Sequence, residues 1–174
     1  MYYFLTASKD TTIFSQQAVQ NTGLDEILEV SKVYYGNLKD TARSLVKFDL
    51  NTLPSKLSSG AVTMSEAQIV IRETQPSEIA LAYSLHIHPI SQSWEMGIGT
   101  RFDNISTDGC TWNYRASGSK WLPTEVPNGG LATGSYDGRG GMWYTASEQT
   151  QSYEYQSTDL EIDVSSSLSF WLDD

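Results

Sequence analysis

The stretch that decides the fold class is LAYSLHIHP, residues 81–89. The large apolar residues Leu81, Tyr83, Leu85 and Ile87 alternate in it with Ala82, Ser84, His86 and His88. Successive side chains of a strand point to opposite faces, so this alternation is typical of a half-buried antiparallel strand. Weaker patterns predict further strands at 27–35, 43–50, 67–72 and 160–164, and a first strand with Tyr3, Leu5 and Ile13 broken by a turn at Ser8–Asp10.

The clearest helical spacing is at the end of the chain. Helical spacing relates Val164, Leu168, Trp171 and Leu172, and Asp163 or Ser165 could cap the first turn. Residues 23–28 fit either a turn or the approach to a strand. Pro54 ends the strand predicted at 43–50, because proline has no backbone N–H to donate to the hydrogen-bond ladder of a sheet. Residues 96–147 show little periodicity and are rich in Gly, Asn, Asp, Ser and Trp. The pattern predicts one all-β domain over residues 1–174 with a long loop region.

Composition and charge exclude several classes of partner. The chain has 174 residues, of which 39% are hydrophobic, enough for one sizeable core. Eleven basic and 21 acidic residues give a net charge of −10, which repels phosphate backbones and anionic lipid. We therefore expect neither nucleic acid nor a membrane as partner. The start MYYFLTASKD lacks a signal-peptide pattern, and the single Cys110 permits no intrachain disulfide, so we expect synthesis in a reducing host cytoplasm.

Five segments match, in order, the motifs of a known domain family. They are RSLVKFDLNTLP (43–54), SEAQIVIRE (65–73), SQSWE (91–95), TWN (111–113) and DLEIDVSSSLSFWL (159–172). Together they resemble the DNRLRE-type domain of archaeal disaggregatase-related and other surface proteins, which is related to carbohydrate-binding β-sandwich modules. The resemblance covers most of the chain. It implies an antiparallel jelly-roll-like β-sandwich with long loops at one end, one short C-terminal helical turn, and Trp94 and Trp112 packed as apolar plugs.

The sequence departs from the family pattern in its loops and at its end. Residues 96–110 and 114–157 are longer than in the family, and such insertions are where a contact surface is grafted. The family's closing strand does not follow Trp171, so we expect it to be missing, supplied by another chain, or located beyond Asp174. The run from MYYFLTASKD through GLDEILEVSKVYYG (residues 1–36) also resembles virion structural proteins of tailed bacteriophages, which implies a location in the virion.

Two sets of residues could bind a metal ion. His86 and His88 project from one strand face and could chelate a metal, but no cysteine or carboxylate stands at short spacing. An exposed polar strand face is the interpretation we adopt, so no metal site is predicted. Carboxylate and amide oxygens in Gly-rich loops could hold a structural calcium ion, although the spacing is not that of an EF-hand and these residues are ordinary in turns; they are Asp103, Asn104, Asp108 and Asp137. No other cofactor is expected.

No set of residues supports catalysis. GRGGM (138–142) and PNGG (127–130) lack the lysine and helix of a phosphate-binding loop. Cys110 has no base nearby in the sequence. Glu95 with Asp103 or Asp108 could form a glycosidase pair, but paired carboxylates arise by chance among 21 acids. We expect that the protein is not an enzyme.

Aromatic residues of the long loops are the candidate binding residues, namely Trp121, Tyr136, Trp143 and Tyr144. They could anchor a protein interface, stack on sugar rings, or cover the core. The sequence predicts a non-catalytic virion structural protein of a tailed bacteriophage, in the capsid, neck, tail or baseplate. It would pack against other virion proteins and copies of itself. The alternative is a carbohydrate-binding adhesin module that recognises surface polysaccharide.

Overall fold

Strands dominate the computed structural model, which describes residues 2–74, 82–122, 139–144, 148–154 and 159–173. The strands are β1 (Ala7–Phe14), β2 (Ser31–Tyr35), β3 (Leu38–Phe48), β4 (Gln68–Arg72), β5 (Ala82–Ile87), β6 (Tyr114–Ala116), β7 (Ser119–Lys120), β8 (Gln149–Glu154) and β9 (Asp159–Asp163). The helices are α1 (Leu53–Ser58) and α2 (Ser165–Asp173). Every strand pair in these ranges is antiparallel. The all-β class is confirmed.

Two compact units divide the chain, and each is described by itself. Unit 1 contains residues 50–89 and 145–174, and unit 2 contains residues 2–49 and 90–144. The prediction of a single domain over residues 1–174 stays a prediction. No helix in the described ranges is long and apolar enough to cross a membrane.

Unit 2 is built on the three-stranded sheet β1-β3-β2. Both faces of β1 are covered, because Thr11, Thr12, Ile13 and Phe14 are all buried. The predicted turn at Ser8–Asp10 is wrong. These residues lie in β1, where the register with β3 shifts between Ala7 and Lys9, so a bulge and not a turn explains the polar sequence. In β3, Leu45 is buried and its neighbour Val46 is 37% exposed.

The core of unit 2 combines sheet residues with side chains from the following loops. Its buried members are Ile13, Leu45, Trp94, Cys110, Trp121 and Met142, and Ile90, Met96 and Trp112 pack against them. The predicted packing of Trp94 and Trp112 as large apolar residues is confirmed, since Trp94 is buried in this core and Trp112 packs against it. Burial raises the pKa of the Cys110 thiol to about 12, so the thiol is protonated at neutral pH and is no nucleophile.

Arg43 of β3 is held between two tryptophans. Its guanidinium carbon lies 4.7 Å from the ring centroid of Trp112 and 4.6 Å from that of Trp143, and Nη1 donates a hydrogen bond to the carbonyl of Gly140. Two cation–π contacts and a charge-assisted hydrogen bond therefore join β3 to two other segments of unit 2, one with Trp112 and one with Gly140 and Trp143.

We expect Arg43→Met to lower the free energy of unfolding by about 2 kcal/mol, because methionine keeps the apolar stem but loses both cation–π contacts. Urea unfolding followed by tryptophan fluorescence measures this change. Lys47→Met, at an exposed position of the same strand, is the matched control and should stay within about 0.5 kcal/mol of the wild type. Equal effects of the two substitutions would contradict the prediction.

Unit 1 contains the antiparallel pairs β4-β9 and β5-β8 and both helices. The alternating strands predicted from the sequence are confirmed, and Leu160, Ile162 and Val164 are buried. Helix α2 is confirmed as well: the Asp163 carboxylate accepts a hydrogen bond from the Ser165 backbone N–H at 2.8 Å. Helix α1 was not expected. The strand β3 already ends at Phe48, and Pro54 stands in the first turn of α1, where its missing N–H costs nothing.

Candidate functional site

The side chain of Asn21 organises the long loop of residues 96–110 in unit 2. Its Nδ2 donates to the carbonyl oxygens of Met96 at 2.7 Å and Cys110 at 2.8 Å, the two ends of the loop. Its Oδ1 accepts from the backbone N–H groups of Gly23 at 3.1 Å and Gly99 at 2.8 Å. Asn21 is 0% exposed, and these four hydrogen bonds use both donors and both acceptor positions of the amide. We call residues 96–110 the Asn21-anchored loop.

Further hydrogen bonds join the neighbours of Asn21 to the interior of this loop. The Leu24 backbone N–H donates to the Gly99 carbonyl at 2.9 Å. The Gln20 side chain donates to the Thr100 carbonyl at 2.6 Å. The loop is therefore held along its length as well as at its base.

Arg101 ties the loop to the sheet and supports its tip. Its backbone N–H donates to Asp25 at 3.0 Å, and its guanidinium forms an ion pair with Glu29. The guanidinium lies 4.2 Å from the ring centroid of Phe14 and 5.3 Å from that of Phe102. The buried aromatic ring of β1 and the ring at the loop tip therefore contact one cation.

This ordered loop presents large apolar side chains to solvent. Ile98 is 68% exposed, Phe102 is 89% exposed and Ile105 is 72% exposed. Exposed apolar side chains on a backbone that is already ordered are typical of a binding surface, because binding then costs little loop entropy. Sequence reasoning located the insertion but missed these three residues. The available signal was isolated large apolar residues in a polar, glycine-rich segment without periodicity.

The four predicted binding residues are placed differently from one another. Trp121 is 1% exposed and belongs to the core. Of the three roles considered for these aromatic residues, it therefore has the third, covering the core, and neither face of its ring is open to a ligand. Trp143 and Tyr144 are partly buried, and one face of the Trp143 ring contacts the guanidinium of Arg43. Tyr136 lies outside the described residues. A binding role for Trp143 and Tyr144 stays a prediction.

A polar face on the antiparallel β5-β8 strand pair of unit 1 forms a second candidate site. His86 pairs with Thr150, and the same register carried one step further places His88 opposite Glu148. The potential ligand atoms of His86, His88 and Glu148 all lie within 4.8 Å of one another. The imidazole rings are nearly parallel, with an interplanar angle of 11° and centroids 6.4 Å apart. We call these three residues the His-His-Glu cluster.

Hydrogen bonds organise this cluster. His86 Nδ1 bonds to Glu148 Oε1, and the Thr150 hydroxyl lies 3.1 Å from that oxygen and 3.2 Å from that nitrogen. The hydrogen bond from His86, followed by that from Thr150, lowers the pKa of the Glu148 carboxyl below its usual value. Sequence reasoning found the two histidines and missed Glu148, because Glu148 directly precedes β8 and is separated from His86 by 62 residues of chain.

Two of the residues predicted to bind calcium, Asp103 and Asp108, do not belong to the His-His-Glu cluster. The Asp103 carboxylate accepts a hydrogen bond from the Thr100 hydroxyl at 2.7 Å, which is an ordinary use of aspartate in a turn. Within the described ranges, the cluster of three or more His, Cys, Asp or Glu ligands does not include Asp103 or Asp108. Asp137 lies outside these ranges. Binding of calcium stays a prediction.

Comparison with known proteins returned no match to a family model, to a curated protein or to a solved structure. The resemblance to the DNRLRE-type domain and to tailed-phage virion proteins therefore stays an expectation from the sequence.

Proposed function

We propose that the chain is a non-catalytic structural protein of a tailed-bacteriophage virion, and that it packs against another virion protein through the Asn21-anchored loop. The observation that carries the packing role is the exposure of Ile98, Phe102 and Ile105 on a backbone held by buried hydrogen bonds. The virion location is supported by the sequence resemblance.

The chemistry of the loop favours a protein partner over a polysaccharide. Carbohydrate-binding surfaces stack aromatic rings on sugars, whereas two of the three exposed residues here, Ile98 and Ile105, are aliphatic. A protein partner desolvates aliphatic and aromatic groups alike, and interface energy concentrates on central residues of this kind. Phe102 is the expected anchor, because it is the most exposed of the three and its ring is backed by Arg101.

The polysaccharide alternative has less support. Trp121 is buried, and the Trp143 ring already has a guanidinium on one face. A glycan array separates the two functions: saturable binding that is lost in Trp143→Ala would favour the adhesin module. A blank array would favour packing.

The topology of the β-sandwich is part of the same proposal. We propose an antiparallel jelly-roll-like sandwich of the DNRLRE type, supported by the antiparallel pairing of all described strands and by the order of the sequence motifs. An experimental structure of the chain in its particle tests this topology.

The test of function is incorporation into particles. A phage that lacks the gene is complemented with the wild type or with Phe102→Ser, and the protein in purified particles is quantified by mass spectrometry. We expect Phe102→Ser to reduce incorporation about tenfold or more, as loss of a central interface residue does. Phe4→Ser is the matched control, because Phe4 is also exposed but lies outside the loop.

Cryo-electron microscopy of the same particles supplies the second readout. Ordered copies with Phe102 buried against a neighbouring protein would agree with the proposal. Absence of the chain from particles, wild-type incorporation of Phe102→Ser, or a loop that faces solvent in every copy would refute it.

A further inference from the structure

We propose that His86, His88 and Glu148 bind a divalent transition-metal ion of the zinc type on the polar face of the antiparallel β5-β8 strand pair. This site goes beyond the proposed packing function and is independent of it. It also departs from the interpretation of the histidine pair as a plain polar strand face, because that interpretation rested on the lack of a nearby carboxylate.

The backbone places all three side chains on one face. His86 lies in β5 and His88 directly follows the end of that strand, and their nearly parallel imidazole rings have centroids 6.4 Å apart. Glu148 reaches that face from the partner strand, because the register that pairs His86 with Thr150 sets Glu148 opposite His88. Directly opposed side chains in an antiparallel pair begin about 5 Å apart at Cβ, close enough to share one ion.

Small side-chain movements complete the geometry. Metal–nitrogen and metal–oxygen bonds of about 2.1 Å separate two tetrahedral ligand atoms by about 3.4 Å. The ligand atoms here already lie within 4.8 Å of one another. The side chains of His86 and Glu148 are 53% and 33% exposed, so both can rotate without disturbing a core.

The donor set selects the class of metal. Two imidazoles and one carboxylate suit zinc and its neighbours in the first transition series, whereas calcium and magnesium prefer oxygen ligands alone. Three protein ligands leave at least one coordination position for water or for a ligand from another molecule.

Neighbouring residues hold the ligands in place. The Thr150 hydroxyl bonds to Glu148 and lies within hydrogen-bond distance of His86, as outer-shell groups of metal sites commonly do. Gln149, which faces the opposite side of the strand, donates to the buried Ser167 hydroxyl of α2 at 2.6 Å. This bond fixes the start of β8 and thereby the backbone next to Glu148.

Isothermal titration calorimetry with ZnCl₂ and equilibrium dialysis test the site on the whole chain, purified with a tag that contains no histidine. We expect one Zn²⁺ per chain, and a rise in the midpoint of thermal unfolding on metal addition, because the ion joins two strands. Cobalt(II) added in place of zinc should give visible absorption bands that report nitrogen and oxygen ligands.

Three variants decide the assignment. His88→Gln and Glu148→Gln should each weaken Zn²⁺ binding by at least about tenfold. Glu154→Gln is the matched control, since it removes a carboxylate from the same strand face at the far end of the β5-β8 pair, and should bind as the wild type does. Far-UV circular dichroism confirms that the variants fold. No stoichiometric binding, or equal weakening by Glu148→Gln and Glu154→Gln, would overturn the proposal.

Discussion

Asn21→Asp lowers the free energy of unfolding of unit 2 by about 4 kcal/mol at pH 7, the largest loss we expect from one isosteric change. The substitution replaces the Nδ2 donor by an oxygen, which then faces the carbonyls of Met96 and Cys110 across 2.7 and 2.8 Å. It also places a carboxylate at a position that is 0% exposed. Urea unfolding followed by tryptophan fluorescence measures the change, since most of the tryptophans lie in unit 2.

The matched control is Asn37→Asp, which makes the same chemical change at an exposed position between β2 and β3. It should stay within about 0.5 kcal/mol of the wild type. A loss at Asn21 no larger than the loss at Asn37 would show that the buried amide does not organise the loop.

The pH dependence of Asn21→Asp supplies a second readout. Burial raises the pKa of the new carboxyl in the folded state above its unfolded value of about 3.9. Stability relative to the wild type is therefore greatest below that unfolded value, where the acid is neutral in both states. It is lost as pH rises through the folded-state pKa. A difference between variant and wild type that does not change with pH would contradict a buried charge.

The elements that the sequence predicted best are the half-buried strands and the last helix. In β5 and β9 one face is apolar and the other polar, so the pattern of residues records which face is buried. In α2 two signals predict the same helix, because Asp163 caps its first turn and the apolar residues have helical spacing. Local sequence carries this information because the order of apolar and polar residues within one element is enough to show which of its faces is buried.

The elements that it missed depend on contacts between distant residues. A first strand was predicted, but its unbroken course through Ser8–Asp10 was not, because residues 11–14 of β1 are buried on both faces and leave no alternation to read. Asn21 bonds to residues 75 and 89 positions away, and a lone asparagine in sequence indicates only a turn. Glu148 joins His86 and His88 only through the register of β5 with β8. Pairing register of this kind cannot be read from one strand alone.

Gly97→Ala should lower the free energy of unfolding by about 4 kcal/mol, because it combines two separate costs. Gly97 has a φ of +80°, in the left-handed region that an alanine adopts only with strain. A Cβ atom at this position would also lie 2.1 Å from the Asp108 carbonyl oxygen and 2.4 Å from Asn21 Oδ1. Since the first atom is backbone and the second is held by hydrogen bonds, neither can move without opening the Asn21-anchored loop.

Gly118→Ala separates these costs. Gly118 has a similar φ of +70°, and its Cβ would meet no atom within 4 Å, so only the backbone strain of about 1 kcal/mol remains. Thermal unfolding should therefore show a depression of the midpoint several times larger for Gly97→Ala than for Gly118→Ala. Equal depressions would mean that the loop relaxes freely around Asn21. The preordering that supports a binding role for Ile98, Phe102 and Ile105 would then be lost, because a loop that adapts at no cost is not held in one conformation before binding.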